Sequence, residues 1–113
     1  LEELSTQIQS RLPISVLLLG MGADMHTASL FPGADQLERA LAPDAPPLLA
    51  MRAPGAPEPR MTLSAPVLDA AMAKHVVIFG AEKRAALEQA QNLSASEAPV
   101  RAVLNGAHIH WAA

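Results

Sequence analysis

Cysteine is absent from this 113-residue chain, which excludes disulfides and thiolate metal sites. Aromatic residues are nearly absent: Phe31, Phe79 and Trp111 are all of them, so a core must be built from Leu, Val, Ile, Ala and Met. Long apolar runs are missing as well. The longest, such as Val16–Ala23, fall far short of the roughly 20 residues that a membrane-spanning helix needs. The opening residues, LEELSTQIQS, carry acids and no basic stretch, which is not the pattern of a signal peptide. No basic run exists, no aromatic residues interleave with basic ones, and the net charge is -3, so nucleic acid is not an expected partner. An initiator methionine is lacking too, and Leu1–Arg11 reads like the tail of a helix already under way. The expectation is that more chain precedes Leu1.

Half of the residues are hydrophobic and 17% are charged, the composition of a folded chain and, at this length, of one domain at most. Leu1, Leu4, Ile8 and Leu12 recur at helical spacing until Pro13 stops the pattern. Ile14–Leu19 is a short continuous apolar run between Pro13 and Gly20, which suits a strand buried on both faces of a parallel sheet. A short helix is expected over Ala34–Leu41. Ala42–Pro59 holds six prolines in eighteen residues and is expected to be mostly loop, with a short extended piece at Leu48–Arg52. Arg60–Ser64 reads as a strand. Ala65–Ala73 reads as a helix with Pro66 in its first turn, where proline is tolerated. His75–Phe79 reads as a second buried strand closed by Gly80, Ala81–Gln91 as a helix of strong formers, and Pro99–Leu104 as another short helix. Asn105-Gly106 signals a turn, and Ile109–Trp111 a last strand. Strands alternating with helices predict an α/β fold with a largely parallel sheet flanked by helices in three layers.

The chemistry is concentrated in Gly20–Gly33, GMGADMHTASLFPG, directly after the first buried strand. Open α/β sheets bind ligands beyond the carboxyl ends of their strands, so this is where a site is expected. Gly20 and Gly22 permit a tight turn and a close approach to ligand. His26 is the side chain best suited to proton transfer near neutral pH, and Asp24, two residues before it, can orient the imidazole and stabilise its charged form. Thr27 or Ser29 could cap a following helix. A glycine pair with one Asp and one His is also what an ordinary solvated turn contains, and two potential ligands without a third make a poor metal site.

The run LLGMGADMHTASLFPG resembles the signature of the 6-phosphogluconolactonase family, LLGxGxDGHTASLFPG. RMTLSAPVLDAA (Arg60–Ala71), HVVIFGAEKRAAL (His75–Leu87) and the ending IHWAA resemble further segments of that family. The likeness covers almost all of this chain but only the second half of a family member. It implies a cytosolic enzyme of the pentose phosphate pathway that hydrolyses a phosphorylated sugar lactone without a cofactor or metal. His26 would be the general base that activates water, and Asp24 its orienting carboxylate. On general chemical grounds, and not from the resemblance, backbone N–H groups around Gly20–Gly22 are expected to help stabilise an oxyanion or to shape the sugar pocket. Lys83, at the start of a helix, would contact the substrate phosphate, and Arg60 would bind another anionic group. The family has glycine where this chain has Met25. Glycine there points to positive φ or close packing against substrate, so methionine would be strained or would crowd the pocket.

Two other functions compete. Amino-sugar-phosphate deaminases share the Gly-x-Gly-x-Asp-Gly-His pattern but carry a glutamate five residues after the histidine; here that residue is Phe31, and no acid lies between His26 and Asp35. A non-catalytic sugar-phosphate-binding relative is the other, suggested by Met25. Half of such a domain would expose apolar sheet edges and faces. It would therefore need a partner: its own N-terminal half, or another copy of itself. Among the remaining residues, His75 is expected to be structural. His108 and His110 would share one face of a strand, half of a metal site at most.

Overall fold

The computed structural model describes all residues, Leu1–Ala113. The elements are α1 (Glu2–Gln9), β1 (Val16–Leu19), α2 (Leu37–Leu41), β2 (Leu48–Ala53), β3 (Ala56–Leu63), α3 (Ala65–Asp69), β4 (Ala73–Phe79), α4 (Ala81–Ala90), a 3₁₀ helix (Pro99–Val103) and β5 (His108–Ala112). β1, β4 and β5 form a parallel sheet in the order β1-β4-β5. β2 and β3 form a separate antiparallel hairpin. The α/β class with a parallel sheet is the one the strand–helix alternation predicts. No helix is long and apolar enough to cross a membrane.

Residue alternation along the strands decides where the core lies. Leu19, Val76 and Ile78 point to one face and are buried there with Leu37 and Ala40 of α2, Leu68 of α3, Leu87 and Ala90 of α4, and Val100 and Val103 of the 3₁₀ helix. Val16, Leu18 and Phe79 point to the other face and are 66%, 69% and 65% exposed. β1 is thus covered on one face, where its composition predicts cover on both. Topology supplies the reason. Both crossovers step the same way across the sheet, β1 to β4 and then β4 to β5, and crossovers of one hand stepping one way lie on one face. The remaining layer of a three-layer arrangement is not provided by these residues. α1 buries none of its residues.

The proline-rich segment departs most from the sequence-based expectation of a loop. β2 and β3 pair from Leu48–Leu63 to Ala53–Ala56, with Pro54-Gly55 as the turn. Pro57 and Pro59 fall where the register shifts, between the Met51–Arg60 and Ala53–Ala56 pairs. A bulge is one of the few places in a sheet where the missing N–H of proline costs no ladder bond. The other boundaries differ by a few residues. α3 is shorter than the predicted helix because β4 begins at Ala73. Lys74 on β4 is buried, and its ammonium donates to Asp69 Oδ1 at 2.6 Å and to the Asn105 carbonyl at 2.5 Å. It ties the end of α3 to the turn before β5, where Gly106 has φ 73°.

Candidate active site

After Leu19 the chain turns sharply at the carboxyl end of β1. The Gly22 N–H donates to the His26 carbonyl at 3.0 Å, and the Met25 N–H donates to the Gly22 carbonyl at 2.9 Å. Thr27 is fully buried, and its hydroxyl donates to the Gly20 carbonyl at 2.8 Å. On the far side, the Val100 N–H donates to the Met25 carbonyl at 3.0 Å, so the 3₁₀ helix grips the turn. Met25 has φ 72°, the left-handed conformation that a glycine in this place implies. Its side chain is half-buried against the core and does not line the neighbouring cavity. The penalty is therefore backbone strain, not crowding.

This turn presents His26 and Asp24 to each other. His26 Nδ1 and Asp24 Oδ1 are 2.5 Å apart, and the backbone N–H of His26 donates to the same oxygen at 3.0 Å. Partial burial works to raise the Asp24 carboxyl. The hydrogen bonds from the ring and backbone of His26, with the charge of the imidazolium, outweigh it and hold the carboxyl below its ordinary value. With Nδ1 engaged by a carboxylate, the proton of a neutral imidazole sits on Nδ1, and Nε2 keeps a lone pair. Gly22 makes the pairing possible. A Cβ there would lie 2.3 Å from His26 Cε1 and Nδ1 and 2.8 Å from Asp24 Oδ1.

His26, Gly20 and Gly22 line an open cavity of about 450 Å³, and Lys83 lines it from the other side. Lys83 is the third residue of α4, which begins at the carboxyl end of β4, the strand next to β1. Gly80, with φ 89°, makes the abrupt turn into this helix. β5 clamps the turn: the Gly80 N–H donates to the Ala112 carbonyl and the Trp111 indole N–H donates to the Gly80 carbonyl, both at 2.8 Å. The guanidinium of Arg84 lies 4.5 Å from the Trp111 ring centroid. Four of the residues singled out in the sequence, Gly20, Gly22, His26 and Lys83, therefore meet at one cavity, with Asp24 bonded behind His26. Arg60 does not line it. It is exposed on β3, its guanidinium 5.5 Å from the centre of the Phe31 ring.

Several further residues support the site in ways not assigned from the sequence. Phe31 is 4% exposed and stacks on His26, ring centroids 4.2 Å apart and planes 21° from parallel. The β2–β3 hairpin backs this loop. Thr62 of β3 accepts from the Ser29 N–H at 3.2 Å. Asp35 accepts from the Arg52 N–H at 2.9 Å and returns its own N–H to the Arg52 carbonyl at 3.0 Å. A Cβ at Gly55, in the hairpin turn, would lie 3.4 Å from Asp24 Oδ2 and 3.7 Å from Phe31 Cδ1. Away from the cavity, on the exposed sheet face, His75 stacks 5.2 Å from both His108 and His110. Its Nδ1 is 2.9 Å from Nε2 of His110. One of these nitrogens must accept, so at least one of the two rings is neutral when the bond is made.

Polar side chains gathered beyond the carboxyl ends of two neighbouring parallel strands stand where open α/β sheets bind ligands. Residues 1–111 match the family described as glucosamine-6-phosphate isomerases/6-phosphogluconolactonase. The chain belongs to that family. It is 42% identical over 106 residues to the 6-phosphogluconolactonase of Rhizobium meliloti, covering 88% of this chain and 46% of that protein. It is 45% identical over 103 residues to the one of Pseudomonas aeruginosa, covering 88% and 43%. The crystal structure of a 6-phosphogluconolactonase from Shewanella baltica superposes with a TM-score of 0.90 at 30% identity, covering 99% of this chain and 50% of that one. The chain thus spans about half the length of the relatives it matches.

Proposed function

We propose that this chain carries the base of a 6-phosphogluconolactonase, which hydrolyses 6-phospho-D-glucono-1,5-lactone to 6-phosphogluconate. The observation that carries the proposal is the hydrogen-bonded His26–Asp24 pair at a cavity that Lys83 also lines. The names of the relatives support the substrate. His26 Nε2 takes a proton from water as the water oxygen attacks the lactone carbonyl carbon. Asp24 accepts from Nδ1–H throughout and stabilises the imidazolium that forms. The negative charge that develops on the carbonyl oxygen needs donors. The Gly22 N–H is already committed to the His26 carbonyl. Among the residues that line the cavity, Gly20, Met21 and Ala28 have N–H groups that make no backbone hydrogen bond, and these are the candidate donors. As the tetrahedral intermediate collapses, the ring C–O bond breaks and the departing ring oxygen takes the proton from the imidazolium. The acid and the neutral imidazole result. Lys83 holds the phosphate at the N-terminus of α4, where the helix dipole also favours an anion. Arg60, over Phe31 and outside the cavity, has no step in this scheme.

We further take the chain to be the C-terminal half of one lactonase domain working in the cytoplasm, whose other half covers the exposed face of β1 and β4. The share of the relatives' length and the exposure of Val16, Leu18 and Phe79 support this. An isomerase or deaminase is the weaker alternative, because a buried phenylalanine, and not an acid, lies against the imidazole. The test is hydrolysis of freshly prepared lactone by the full-length protein, beside His26→Ala. Catalysis that collapses in the variant supports the assignment. A rate no faster than spontaneous hydrolysis, from folded protein, would sink it in favour of a non-catalytic sugar-phosphate-binding relative.

A further inference from the structure

The hydrogen bond to Asp24 holds the His26 ring at one edge only. The torsion about the Cβ–Cγ bond of a histidine has a broad energy profile, and Asp24 is itself 45% exposed on a turn. One bond to such a partner leaves the ring free to rock about its Nδ1. Phe31 removes that freedom. Its ring lies almost flat against the imidazole, 4.2 Å between centroids, while it is buried to 4% exposure. Phe31 is in turn held from outside the loop: the hairpin turn at Gly55 comes close to its Cδ1, and Arg60 of β3 reaches over its ring at 5.5 Å. A ring restrained in this way can restrain another.

We propose that Phe31 is a positioning residue for His26, its buried ring fixing the plane of the imidazole so that Nε2 keeps one direction at the cavity. Its kinetic consequence rests on the lactonase reading. Phe31 touches no reacting atom and acts only through His26. The aromatic face also suits the positive charge that His26 acquires during the reaction. A flat ring is therefore required here, beyond apolar bulk.

The test compares Phe31→Leu and Phe31→Tyr with the wild type in the full-length protein, by steady-state kinetics and by long-range ¹H–¹⁵N spectra of the histidine rings. Leu keeps apolar bulk without a flat face; Tyr keeps the face. The expected result for Phe31→Leu is a fall in kcat of roughly ten-fold, with KM within about two-fold, since a small misplacement of a base lowers the rate steeply. The single Nδ1–H tautomer pattern of His26 should broaden or split. Phe31→Tyr should stay within about two-fold of wild type in kcat with the His26 pattern unchanged. A Phe31→Leu protein that keeps both kcat and the His26 pattern overturns the proposal, as does a Tyr variant that falls as far as Leu. If Leu fails to fold, Phe31→Met is read in the same way. The spectra need no turnover. A wild type without lactonase activity would defeat the functional assignment, and the His26 pattern in the two variants would still decide the positioning role.

Discussion

Gly22→Ala adds one methyl group to the turn and aims it at the proposed base. Gly22 does not have a left-handed φ, so alanine costs nothing in backbone conformation there and the effect is purely steric. The new Cβ would lie 2.3 Å from two atoms of the His26 ring, where ordinary contact begins at 3.4 Å, so the ring must retreat by about 1.1 Å. Asp24 Oδ1, 2.8 Å from the same point, blocks one direction of retreat, and Phe31 stacked on the ring blocks another. The Nδ1–Oδ1 bond must lengthen or break. A displacement of about 1 Å in a catalytic group costs on the order of 10²-fold in rate, comparable with the lower end of removing a general base altogether. The expected outcome in the lactone assay is thus a fall in kcat of about 10²-fold, with a stability loss no larger than about 1 kcal/mol, because the turn is half-exposed. Gly20→Ala is the control. Its Cβ would meet no protein atom within 4 Å yet would project beside the cavity, so KM should respond and the melting temperature should not. A Gly22→Ala enzyme that keeps kcat within about three-fold of wild type would refute the steric reasoning, and with it the orientation of His26 against Gly22 and Asp24.

Lys83→Met should raise KM for the phosphorylated lactone by more than about ten-fold, the loss expected for a charge-assisted contact, with far less effect on a lactone without phosphate; steady-state kinetics on both substrates would check it. The lowered carboxyl of Asp24 stabilises the fold above its unfolded-state value, about 3.9, and that contribution disappears as pH falls through the lower folded-state value. The gap in melting temperature between wild type and Asp24→Asn should therefore be largest near neutral pH and close progressively below about pH 4. Because Asp24 is well exposed, the gap should be small and should shrink with salt. At Met25, glycine would relieve left-handed strain of about 1–2 kcal/mol but gain about 0.5–1 kcal/mol of unfolded-state freedom and lose half-buried packing, so Met25→Gly should lie close to wild type in urea denaturation. Met25→Val, β-branched at the same φ, should be clearly less stable.

How much of this can be read from the sequence follows from the range of each interaction. β1, β4 and α4 announce themselves through apolar runs, closing glycines and helix formers, all of which are local. Asp24 and His26 are two residues apart, so their pairing is a property of one turn, and the positive φ at Met25 follows from where glycine stands in the family pattern. Phe31 stands in the family pattern, but nothing local tells its role: an aromatic in a loop looks like core, and only the folded turn lays its ring on His26. The hairpin is hidden by its prolines, which weigh against strands in any local count. They become harmless once the register shift and the turn absorb them, and register is a property of two segments together. Arg60 is expected at the site from the family resemblance, but its guanidinium lies over Phe31 and does not line the cavity.

The hairpin gives the long β1-to-β4 connection a purpose beyond crossing the sheet. A parallel crossover needs only a segment that returns the chain to the starting edge, and α3 would suffice. The extra two strands instead reach back to the turn after β1. Thr62 takes a bond from Ser29, Arg52 and Asp35 exchange two, Gly55 lies against both Asp24 and Phe31, and Arg60 leans on Phe31. The turn that holds His26 is thereby braced on one side by its own crossover and on the other by the 3₁₀ helix, through Val100 and Met25. Such bracing allows a strained residue to persist at Met25, since a left-handed methionine survives only where its surroundings over-determine the backbone. Loosening the hairpin should therefore cost activity before it costs the fold. Thr62→Val, which deletes the acceptor for Ser29 at almost constant volume, should lower kcat several-fold while the sheet and its core, built on Leu19, Val76 and Ile78, remain intact.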